Sequence, residues 1–173
     1  MPHGFDFYRV FVSAPGDLVA DREVCHQVIA RVNEAISMPE KILLASIGLR
    51  EDEHIVGYRA AVADNVRSST YFIQAFQDDW GPRDLFRKLF LQAVEVLRDP
   101  AMPMRDLLIC LKDAPGETDE QILAFRRELE DQGGVRLFRY KSLDELEAQL
   151  EATISEWALA LVSLKESLPR IEA

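Results

Sequence analysis

Residues 13 to 23, Ser13-Ala-Pro-Gly-Asp-Leu-Val-Ala-Asp-Arg-Glu23, hold the densest run of groups suited to chemistry. Ser13 brings a hydroxyl, Gly16 an open backbone, Asp17 a carboxylate and Arg22 a guanidinium. An apolar run precedes them and a helical pattern follows, so their backbone N–H groups would gather at a helix start. That arrangement favours a phosphate or ribose, because unpaired N–H groups and the helix dipole attract negative or hydroxyl-rich groups. The plainer reading is a capped turn: Asp17 stands where an N-cap should stand, and its carboxylate would take those N–H groups itself. Arg22 would then pair with Asp17 or Asp21. Further on, Asp78, Asp79 and Asp84 flank Trp80-Gly81 and offer carboxylates for catalysis. The simpler expectation makes Asp78 and Asp79 solvated turn residues and Asp84 a helix cap. Trp80 either stacks on a base or plugs a strand–helix corner.

Other chemistries lack their residues. The chain has no Gly-x-Gly-x-x-Gly run, no P-loop, no Gly-x-Ser-x-Gly elbow and no Cys or His cluster with metal-ligand spacing. His3, His26 and His54 are scattered. Cys25 falls in a helical pattern and Cys110 in an apolar strand, as buried reduced thiols of a cytoplasmic protein would. A formal net charge of −10 opposes a nucleic-acid or anionic-membrane surface, which needs clustered Lys and Arg. No signal peptide or apolar run of about 18 residues marks a membrane segment.

Five short apolar runs position these groups: residues 7–12, 41–46, 70–76, 106–111 and 135–140. The first reads as buried on both faces, the fourth as central, and the last, with Arg136 and Arg139, as an edge. Helical patterns fill the intervals. One follows Asp17 to Met38-Pro39, one spans 55–67, and one runs from Asp84 to about Leu97. The fourth starts near Thr118, with Gln121 as a capping-box partner, and the last starts at Ser142, with Glu145 in that role. Strands alternating with helices predict a five-stranded parallel sheet covered on both faces, a flavodoxin-like three-layer α/β sandwich. The length fits one domain, residues 1–173, either a whole protein or the N-terminal module of a longer one. Residues 157–162, Trp-Ala-Leu-Ala-Leu-Val, are apolar almost all round. They predict a helix either sandwiched within the fold or offered to a partner.

Val10-Phe-Val-Ser-Ala-Pro-Gly-Asp-Leu18, followed by Asp21-Arg22-Glu23, resembles the opening of bacterial TIR-like domains, related to Toll/interleukin-1-receptor domains. Ala14 replaces the second serine of the usual pair. The resemblance is strong at the start, moderate at Trp80-Gly81 and weak beyond, over roughly residues 7–163. It implies the same flavodoxin-like architecture and a signalling or defence role in the cytoplasm. It also implies an NAD- or ADP-ribose-like ligand near Ser13, Gly16, Asp17, Arg22 and Trp80, with no further cofactor or metal. Self-association would run through the helix at 142–164 or the loop at 47–54, where Glu51, Asp52 and Glu53 lie. NAD-cleaving relatives carry a glutamate in the helix after the third strand, where it can stabilise an oxocarbenium-like transition state. Here Leu89 aligns with that glutamate, so the expectation is an interaction domain that has lost catalysis. The alternatives are an NAD-cleaving effector using a displaced carboxylate among Asp78, Asp79 and Asp84, or a nucleotide- or ribose-binding relative of nucleoside deoxyribosyltransferases.

Overall fold

Alternation along the strands separates two cores. Val10 and Val12 point to one face of the sheet with Ile73, Leu108 and Cys110; Phe11, Phe72 and Phe76 point to the other with Leu107 and Ile109. In this computed structural model, which describes residues 4–48, 58–81 and 84–168, five strands form one parallel sheet. They are β1 (Asp6–Ser13), β2 (Ile42–Gly48), β3 (Tyr71–Phe76), β4 (Asp106–Lys112) and β5 (Arg136–Tyr140), in the order β2-β1-β3-β4-β5. Helices α1 (Val19–Val32) and α5 (Leu143–Ser167) cover the first face. Helices α2 (Tyr58–Arg67), α3 (Leu85–Arg98) and α4 (Glu120–Glu130) cover the second. This is the flavodoxin-like three-layer sandwich that the alternating pattern predicts, with β5 at one edge and β2 at the other.

Several local expectations change. The first strand is buried on both faces only from Val10 onward, because β3 begins opposite Val10. Ahead of that point β1 has β2 alone as a neighbour, and Phe7 is 66% exposed. The first helix does not run evenly to Met38-Pro39: α1 passes into a π-helical stretch, Asn33–Ser37, and a 3-10 turn, Met38–Glu40. Asp119, rather than Thr118, caps α4, accepting from the N–H groups of Gln121 and Ile122. Ser142 caps α5 as predicted, accepting from Glu145 N–H, but the Glu145 carboxylate reaches back to Lys141 N–H rather than to the cap. Residues 55–57 of the second expected helix and 49–54 of the acidic loop lie outside the described residues.

The apolar run in α5 is mostly spent inside the fold. Trp157, Ala158 and Leu161 are buried, and Trp157 stacks on Tyr71 with ring centroids 4.3 Å apart. Its indole N–H donates to Asp106 at 2.8 Å, satisfying the one polar group the ring carries. Leu159 is left 55% exposed.

Candidate functional site

Strand order fixes where a ligand would sit. The chain steps from β1 outward to β2 and then returns to the far side of β1 for β3, so the helices after β1 and β3 leave in opposite directions. The crevice at the carboxyl ends of these two strands is the topological switch point, the usual ligand position in open α/β sheets.

Ser13 ends β1 and lies in register with Gln74 of β3. Both are buried, and both face the α2–α3 side, as Phe11 and Phe72 do one step earlier in their strands. The Gln74 amide N–H donates to Ser13 O at 3.3 Å and Ala75 O at 2.8 Å. Among the described residues nothing bonds the Ser13 hydroxyl or the Gln74 amide oxygen. Two buried polar atoms without partners cost stability, roughly 1–3 kcal/mol each, and call for an explanation.

Asp17 does not cap α1. It sits inside a 3-10 turn, Gly16–Leu18, and no side-chain bond caps either that turn or the helix. Its carboxyl instead feels the like charges of Asp78 and Asp79 at the exit of β3. Desolvation, followed by the charges of those two residues and a hydrogen bond with Asp78, raises its pKa from the usual 3.8 to about 6, although the residue is solvent-exposed. Asp17 after β1 and Asp78 and Asp79 after β3 thus lie within electrostatic reach of one another at the switch point. Their negative field disfavours a phosphate there and favours a hydroxyl-rich or cationic group.

The β3 exit is held from several sides. The Asp79 carboxylate accepts from Gly81 N–H at 2.8 Å. Gly81 has φ +75°, and a Cβ on it would lie 2.6 Å from the Phe86 ring, so the turn requires glycine. Trp80 plugs the strand–helix corner, packing on Phe76 and edge-on to Phe125. Arg126 of α4 donates to Gln77 O at 2.7 Å and Lys112 O at 2.8 Å, tying the ends of β3 and β4 together. Gln77 adds a bond to Asp113 O at 3.0 Å.

The remaining predicted residues stand apart from this group. Asp84 occupies the N-cap position of α3 but caps nothing with its side chain, and its φ of +54° puts it in the left-handed region. Leu89 is 5% exposed and packs in the core with Phe86 and Phe90. Arg22 is half-buried on α1, and Asp21, one of its two expected partners, is taken elsewhere. The Asp21 carboxylate is 1% exposed and receives Lys112 Nζ at 2.9 and 3.1 Å, with the Tyr140 hydroxyl at 3.3 Å. Burial, with Asp21 beside it, pushes the Tyr140 hydroxyl well above its ordinary pKa. Cys25 and Cys110 are free and fully buried in the same core, and burial pushes the Cys25 thiol up to about 12, far from a reactive thiolate. Among the described residues no group of three or more His, Cys, Asp or Glu is placed to hold a metal, and no helix is long and apolar enough to cross a membrane.

Sequence reasoning missed Gln74, Lys112, Arg126 and Tyr140. Three of them carried a faint signal: Gln74 is a polar residue inside an apolar strand, Lys112 a lysine closing a buried strand, and Tyr140 a tyrosine at the end of an edge strand. Arg126 carried none, because its partners are backbone carbonyls far away in sequence.

Fold and site together define a flavodoxin-like α/β domain with a polar, acidic switch point between β1 and β3. No protein-family model matches the chain, and no curated protein matches it in sequence. Among solved structures, the metal-soaked Flv1 flavodiiron core from Synechocystis aligns with a TM-score of 0.50 and 11% identity, over 94% of this chain and 37% of that one. Translation elongation factor SelB from Methanococcus maripaludis, in complex with a GTP analogue, aligns at 0.48 and 8%, over 98% of this chain and 36% of that one. The chain spans little more than a third of either protein. The first likeness supports the fold alone, and the second is too distant to add to it.

Proposed function

We propose that this chain is a TIR-like signalling or defence domain of the cytoplasm that recognises an NAD- or ADP-ribose-like ligand without cleaving it. Its output is assembly, through the 142–164 helix or the 47–54 loop. The observation that carries this reading is Leu89. Its side chain is committed to the apolar core between α3 and the sheet, where it supplies neither charge, proton transfer nor a hydrogen bond to ribose. Ser13, Gly16 and Asp17 at the switch point would meet the ligand, and the carboxylates there suit its ribose hydroxyls better than its phosphates. Trp80, packed on Phe76 and Phe125, keeps a structural part in this reading.

A second reading draws on the electrostatic influence of Asp78 and Asp79 on Asp17. Three carboxylates at a switch point can stabilise an oxocarbenium-like transition state, so an NAD-cleaving effector with a displaced carboxylate is the competitor. The test is nicotinamide release from NAD at high protein concentration, with oligomeric state followed by light scattering. Binding without release supports the first reading. Sustained release, lost in Asp78→Asn or Asp79→Asn, supports the second. Leu89→Glu is a poor gain-of-function probe, because it would bury a carboxylate among Phe86 and Phe90.

A further inference from the structure

We propose that Asn33 is a plug on the open edge of the sheet, and that the edge it closes would otherwise accept β2 of a second copy of this chain. Asp6 N–H donates to Lys41 O at 2.9 Å, which sets the parity of the strand. Odd-numbered residues of β2 turn their backbone groups toward β1, and Ile42, Leu44 and Ser46 turn theirs outward. At the middle of that edge both outward groups of Leu44 are taken by one side chain. Leu44 N–H donates to Asn33 Oδ1 at 2.8 Å, and Asn33 Nδ2 donates to Leu44 O at 2.9 Å. An added strand would make the same pair of bonds to Leu44.

Asn33 reaches this position from the first residue of the π-helical stretch that ends α1. Such wide turns recur where a helix is made to serve a special contact. The stretch ends at Ser37, which is buried and whose hydroxyl has no partner among the described residues. The segment therefore satisfies the strand edge while leaving one of its own polar groups unmet.

The two sheet edges are protected differently. On β5, Arg136 pairs with Asp106 and Glu156, and Arg139 pairs with Glu130. Edge charges of this kind discourage strand addition. β2, Ile42-Leu-Leu-Ala-Ser-Ile-Gly48, has no charged residue. Without Asn33 it would present an uncharged apolar edge on a chain whose net charge is −10. Two copies of that edge, paired antiparallel about a two-fold axis, bring no like charges together, whereas charged surfaces of the same chain repel. Phe7, exposed and in register with Leu43, adds apolar surface beside the edge.

The experiment uses the full chain as wild type, Asn33→Ala and Asn33→Ser, each alone and with Ser46→Pro. Proline at position 46 removes an outward N–H and spares the ladder to β1. Light scattering against concentration gives the dimer dissociation constant, and hydrogen exchange reports on the Leu44 amide. The expected result is at least a tenfold tighter dimer for the Asn33 variants than for wild type, reversed by Ser46→Pro. In the variants the Leu44 amide should exchange rapidly when dilute and slowly when dimeric, whereas in wild type it should exchange slowly at every concentration. Folded variants that associate no more than wild type would overturn the proposal, as would extra association that Ser46→Pro leaves untouched. Should neither variant fold, the wild type decides alone: rapid exchange at Leu44 overturns the plug, and slow exchange independent of concentration upholds it.

Discussion

Replacing Lys112 with methionine should be one of the most damaging single changes at the carboxyl end of the sheet. The Asp21 carboxylate is 1% exposed, and Lys112 Nζ lies within 3.1 Å of both its oxygens. Methionine fills most of the lysine's volume, so packing is kept and the charge partner alone is lost. Breaking a buried ion pair from one side costs about 3–5 kcal/mol, because the remaining carboxylate stays desolvated. The lysine side chain is a quarter exposed, so water can reach the site, and the lower end, about 3 kcal/mol, is expected. With a urea slope near 2 kcal/mol/M, the unfolding midpoint should fall by roughly 1.5 M at an unchanged slope. Asp21→Asn combined with Lys112→Met should recover more than half of that loss, since asparagine keeps an acceptor for the Tyr140 hydroxyl and removes the charge. A loss below about 1 kcal/mol, or a double variant weaker than the single, would refute the reasoning.

Three further outcomes follow from the same geometry. Gly81→Ala should destabilise by about 1–3 kcal/mol, through its positive φ and the contact with Phe86, and thermal unfolding would register the loss. Leu89→Ala should cost about 2–5 kcal/mol in chemical denaturation, as a core residue does, and leave ligand affinity at the switch point unchanged. Asp17 should titrate near pH 6 by carbon-detected NMR, and Asp78→Asn should lower that value only part-way, because desolvation is the larger cause. Its folded pKa lies above the unfolded 3.8, so the stability it contributes is present below that value and lost as pH rises through about 6. Asp17→Asn should therefore gain on wild type between pH 4 and 7, and less so at high salt because the residue is exposed.

The architecture was legible because hydrophobic alternation and crossover handedness leave few ways to arrange five strands and five helices. Ser142 and the edge role of Arg136 and Arg139 were equally plain, since each rests on residues adjacent in sequence. Asp17 was misread as a cap because residues 16–18 form a 3-10 turn first, which local pattern alone does not reveal. The electrostatic influence of Asp78 and Asp79 on Asp17 depends on β1 and β3 becoming neighbours, a consequence of strand order rather than of either motif. The same holds for Asp21 with Lys112 and Tyr140, three residues separated by most of the chain. Asn33 was hidden more deeply, because the π-helical stretch that aims it at Leu44 breaks the 3.6-residue period on which helix patterns are read.

The most direct test of recognition without cleavage is an NMR titration of the labelled wild-type chain with NAD, following amide shifts and free nicotinamide in one sample. Saturable shifts centred on Ser13, Gly16, Asp17 and Asp78, with no nicotinamide appearing over many hours, are the predicted result. Nicotinamide accumulating in proportion to protein concentration would contradict the account and assign the switch-point carboxylates to catalysis.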